Sequence, residues 1–178
     1  MRDITNLALR ARGGERSAID EFVMVTLPDI RRFCASLVDP ASADDLTQQT
    51  YLKAIEALPR YRGEAPASAW LLSIARHTCI DEIRRRRRAR EVETIGLFVD
   101  PPVCRDHAER VTIESAIADL DTDRREAFVL TQLIGLSYDE ASTVIGCPIG
   151  TVRSRVFRAR ESLVEALRER PAVSQPRA

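Results

Sequence analysis

SYDEASTVIGCPIGTVRSRVFRAR, residues 137–160, is the stretch that decides how this chain reads. Ser137 is of the type that caps a helix N-terminus. Asp139 and Glu140 follow in the first turn, where the helix dipole favours carboxylates. Tyr138, Ala141 and Ile145 recur at helical spacing. Gly146 then offers a left-handed stop and Pro148 forbids continuation. A second helix is predicted from about Ile149, with Ile149, Val152, Val156 and Leu163 on an apolar side and Arg153, Ser154, Phe157 and Arg158 on the other. A short helix, a tight turn and a longer helix with exposed arginines is the geometry that enters a DNA major groove. A plain αα-hairpin with a solvated cationic face would share much of this pattern. Two features argue against it: the second helix has no acid in its first turns, and Phe157 lies between arginines with nothing to cover it.

Working outward, 178 residues make room for one or two small domains. Glycines and prolines sit mostly at apparent breaks and no strand-like alternation occurs, so the expected fold class is all-α. The net charge of +0 argues against a generic polyanion binder, yet charge is uneven along the chain, which suggests partners of different sign. Cys34, Cys79, Cys104 and Cys147 are scattered, and with only His77 and His107 beside them they lack metal-ligand spacing. No metal site and no cofactor is expected. No signal peptide and no apolar run of about 18 residues is visible, so a cytoplasmic protein without membrane insertion is expected.

Toward the N-terminus, periodicity predicts a short helix ended by Gly13-Gly14, then one from Glu15 to Val38 that Pro28 should kink or restart. Ser42-x-x-Asp45 resembles a capping box opening a helix through about Leu58, with Leu46, Tyr51, Ile55 and Leu58 facing inward. A loop, PRYRGEA, precedes a helix from about Ala67 into the run Arg84–Arg88, with Trp70 read as core. These four helices make one expected bundle over residues 1–90. Residues 91–107 read as a linker, 108–170 as a second helical unit and 171–178 as a disordered tail.

Three strings, DDLTQQTYLKAI (44–55), YRGEAPASAWLLSIARHTCIDEIRR (61–85) and LDTDRREAFVLTQLIGLSYDEASTVIGCPIGTVRSRVFRARESL (120–163), resemble extracytoplasmic-function (ECF) sigma factors, group IV of the sigma-70 family, with a likeness to actinobacterial sigma C-like members. The resemblance spans both units in order. It implies a two-domain all-α protein that rides on core RNA polymerase, with region 2 on the β′ clamp and at the −10 element and region 4 on the β flap and at the −35 element of promoter DNA. It also implies that an anti-sigma factor is a common partner. It assigns polymerase contact to Asp45, Gln48 and Gln49, although the family usually has Glu at position 49. It assigns −10 reading to Tyr61, Arg62, Gly63, Arg76, His77, Asp81 and Arg84, with His77 where Asn is usual, so the preferred base is open. Arg85, Arg86, Arg87 and Arg88 are placed to hold phosphate backbone. In the third string the base-facing set is Arg153, Ser154, Phe157 and Arg158, with Thr151 and Arg155 nearer phosphates. A conventional helix-turn-helix regulator would leave residues 1–88 unexplained. An enzyme would need a nucleophile, metal cluster or phosphate loop that the sequence does not display.

Overall fold

A computed structural model describes residues 3–94 and 113–168, and within them the chain forms eight α-helices and no strand. The first unit comprises α1 (Ile4–Arg12), α2 (Arg16–Leu37), α3 (Ala43–Ala57) and α4 (Ala67–Thr94). The second comprises α5 (Ile113–Asp119), α6 (Thr122–Phe128), α7 (Tyr138–Ile145) and α8 (Ile149–Arg168). Helix α4 continues into the stretch read as linker. The rest of that linker, the start of the second unit at 108–112 and the tail at 171–178 lie outside the described residues.

Large apolar side chains from α2 and α4, Ile30, Phe33, Leu71 and Leu72, fill the first core. Each contributes about 1.5–3 kcal/mol by leaving water. A buried hydroxyl pair, Thr26 with Tyr51 at 2.7 Å, ties α2 to α3. Two expectations about helix continuity and capping fail in this unit. Pro28 lies inside an unbroken α2, on its exposed side, where solvent can satisfy the carbonyl that its missing N–H leaves. Ser42 makes no capping bond. Asp39 caps instead, accepting from the Ser42 amide at 2.8 Å at the head of a short 3₁₀ turn, Pro40–Ser42, that leads into α3.

The second unit is built around the helix pair expected from the sequence. Ser137 and Glu140 form a complete capping box at the start of α7, and Gly146 ends it at φ +75, in the left-handed region that glycine enters without strain. Val152, Val156, Ala159 and Leu163 bury one stripe of α8. Between α6 and α7 lies a single π-helical turn, Val129–Leu133, which no sequence pattern announces. The two units pack together, α4 on α7 and α2 on α6. Across that seam Arg76 on α4 pairs with Glu126 on α6 at 2.5 Å, and Glu126 is only 3% exposed. The Arg125 guanidinium donates to the Ser36 carbonyl, and Arg32 to that of Leu133.

Candidate nucleic-acid interface

Helix α8 presents the first candidate surface. Its buried stripe at Val152, Val156 and Ala159 forces Arg153, Ser154, Phe157 and Arg158 to the opposite side, and all four are exposed. Phe157 is 62% exposed, large for an aromatic ring, and has no aromatic or cation partner among the described residues. The Arg153 guanidinium lies over the Tyr138 ring, 5.9 Å from its centre, so α7 steadies one of the base-facing groups. Ser154 returns its hydroxyl to the Thr151 carbonyl at 2.9 Å. The two residues expected nearer phosphates are less free. Arg155 is half-buried and pairs with Asp123 of α6. The Thr151 amide already donates to the Pro148 carbonyl at 2.8 Å, which leaves only its hydroxyl to offer a phosphate.

The second candidate surface follows the loop at 61–66 and α4. Tyr61 does not stand on it. Its ring is 5% exposed and packs against Trp70 at 4.9 Å between centroids, and its hydroxyl donates to the Ala65 carbonyl at 2.6 Å. Burial pushes its phenol pKa up. Tyr61 therefore shapes the loop rather than offering a ring to a base. Gly63 needs its left-handed φ of +77, and Leu9 of α1 packs against it closely enough that a Cβ would touch. Arg62 is exposed beside Glu64. On α4, His77, Asp81 and Arg84 are exposed, while Arg76 is turned into the seam against Glu126. Burial holds the Glu126 carboxyl above its usual range despite that arginine, so desolvation outweighs the attraction.

The arginine run is not a uniform patch. Arg86 is half-buried and clasps Asp39, Ser42 and Glu82, binding the end of α4 to the α2–α3 junction. Arg85 shares Glu82 with it, and the two together hold the Glu82 pKa down at about 2. Arg87 pairs with Glu91. Arg84 and Arg88 are exposed without a charge partner among the described residues.

The third surface is the outer side of α3. Asp45, Gln48 and Gln49 are all exposed there, with Gln48 and Gln49 one turn on from Asp45. Leu52 continues the same line at 58% exposed, and Ile55, expected inward, is 46% exposed. Met24 of the neighbouring α2 is 72% exposed. The face is thus acidic and amide-rich at one end and apolar at the other. An apolar residue that breaks the inward period, Leu52 seven residues after Asp45, was the available signal for this second half.

No helix among the described residues is long and apolar enough to cross a membrane. Comparison with known proteins places these surfaces in context. Residues 22–89 match the family model "Sigma-70 region 2" and residues 110–163 match "Sigma-70, region 4". The chain is 47% identical over 165 residues to the "ECF RNA polymerase sigma factor SigC" of Mycobacterium tuberculosis, covering 90% of this chain and 89% of that one. It is 34% identical over 178 residues to the "RNA polymerase sigma-H factor" of Pseudomonas aeruginosa, covering 90% and 92%. Two solved structures are similar. CnrH in complex with the cytosolic domain of CnrY has a TM-score of 0.73 at 28% identity, over 96% of this chain and all of that one. The sigma factor RpoE in complex with the anti-sigma factor NepR from Bartonella quintana has 0.71 at 30%, over 85% and 98%.

Proposed function

The chain belongs to the extracytoplasmic-function group of sigma-70 factors, and from that premise we propose how its surfaces divide the work of starting transcription. It binds core RNA polymerase and brings it to promoters by recognising −35 and −10 elements and helping to open the duplex; bond formation is the polymerase's. The observation that carries this reading is the α8 face, where Arg153, Ser154, Phe157 and Arg158 stand exposed on a capped, rigid helix-turn-helix. Arginine can bond guanine O6 and N7 in pairs, and phenylalanine can touch a thymine methyl. This face, within 108–170, is the −35 reader.

Residues 1–90 form the polymerase-binding and −10-binding domain. The exposed Asp45, Gln48 and Gln49 suit a basic surface on the β′ clamp, with Leu52 and Ile55 adding apolar contact. Loop residues Arg62 and Gly63, with His77, Asp81 and Arg84 of α4, would hold unpaired bases, and Arg84 and Arg88, without a charge partner among the described residues, would hold phosphates. Residues 91–107 span between the domains, and the second domain also reaches the β flap. The solved complex of RpoE with the anti-sigma factor NepR supports an inhibitor of that kind here, and the proposed setting is the cytoplasm.

Run-off transcription with reconstituted holoenzyme on a promoter library tests the reading. Specific initiation that needs both elements is expected. Asp45→Arg should weaken pull-down of core polymerase while helicity is kept; unchanged association would remove α3 from the interface.

A further inference from the structure

Beside the tethered Arg76, the exposed His77 makes one contact with its own helix. Its Nδ1 lies 2.6 Å from the Ser73 carbonyl, one turn back. A carbonyl oxygen only accepts, so Nδ1 carries the proton of that bond. In the neutral ring the outward nitrogen, Nε2, is then a lone-pair acceptor. Asp81 lies one turn further along the same face, exposed, and its carboxylate oxygens are acceptors as well. An asparagine at position 77 could turn either a donor or an acceptor outward; this helix holds the histidine in one sense. Two adjacent acceptors on one helix face suit a ligand group that only donates.

We propose that His77, backed by Asp81, reads the major-groove edge of a base at the −10 element and selects one whose amine stands on that edge, at the C6 corner of a purine or the C4 corner of a pyrimidine: adenine or cytosine. Guanine and thymine carry a carbonyl oxygen at that corner and would face lone pair against lone pair. The inference rests on the assignment of α4 to the −10 element and adds the chemical sign of the base that α4 chooses there.

The test uses the full chain with core polymerase and leaves the protein unaltered in its main arm. Each −10 position of a promoter is substituted in turn with an amine-free analogue, purine in place of adenine or 2-pyrimidinone in place of cytosine. At one position the loss of the amine should lower open-complex formation about tenfold, the discrimination expected of a good base contact. His77→Ala should make the enzyme indifferent to the amine at that position. His77→Lys, which can only donate, should move its preference toward guanine or thymine. If amine removal is without effect at every position while His77→Ala still alters −10 selection, the acceptor assignment is overturned and α4 remains the reader. If His77→Ala leaves −10 selection unchanged throughout, His77 reads no base and the inference falls, while α4's place at that element then rests on Asp81 and Arg84.

Discussion

Helices α8 and α4 are both long and rich in arginine, yet the structure treats their cations oppositely. On α8 the face proposed to read bases stands in solvent, with Arg153, Ser154, Phe157 and Arg158 all exposed. On α4, Arg76 is locked to Glu126 of the other unit and Arg86 clasps the α2–α3 junction, so two of its cations serve the fold. Counting arginines therefore does not measure a DNA surface. What matters is which guanidinium the fold has already paired, because a buried pair is costly to break and an exposed arginine can be redirected toward phosphate at little cost.

The most severe way to break this contrast is Arg76→Ala. It leaves Glu126 buried without its cation, a loss of about 3–5 kcal/mol for a broken buried pair. The expected outcome is a chain whose two units unfold in separate calorimetric transitions, with Glu126→Gln restoring part of the loss in the double variant. A single unchanged transition would show that the seam does not depend on this pair. Next comes Arg86→Ala, which removes charged hydrogen bonds worth about 1.5–3 kcal/mol and should lower the melting temperature of residues 1–90. Arg88→Ala should leave melting alone and only flatten the salt dependence of promoter binding. If the two variants behave alike, the division of the arginine run is wrong.

Arg158→Ala should cost about 1–3 kcal/mol at one base pair and relax the −35 motif selected from a randomised library, with stability unchanged. An unaltered motif would move the recognition face elsewhere on α8. The smallest expected effect is with pH. The Glu126 pKa is raised in the packed form, so its contribution to the seam is fully present below the ordinary value of 4.5 and is lost as pH rises through the raised one. The Glu82 pKa is depressed to about 2, so its contribution is present above 4.5 and is lost as pH falls toward 2. Melting temperature against pH, compared between the natural chain and Glu126→Gln, should differ only on the upper side; a difference confined to the acid side would reverse the assignment.

Most of α7 and α8 was legible before any coordinates. Ser137, Glu140, Gly146 and the Val152–Val156 spacing act within one or two turns of backbone, so capping, the left-handed stop and the 3.6-residue period determine both the helix pair and its exposed face. The four-helix first unit, the all-α class and the acidic α3 face followed from the same local rules. Tertiary structure alone decided the rest, because burial and pairing join residues far apart in sequence. The ring of Tyr61 goes inward because Trp70 and the Ala65 carbonyl receive it, and Asp39, not Ser42, caps the α3 approach because Arg86 holds it in place. Arg76 faces a seam rather than solvent because Glu126, fifty residues on, is buried opposite it; a buried carboxylate needs a cation, and no local pattern announces where the chain will supply one.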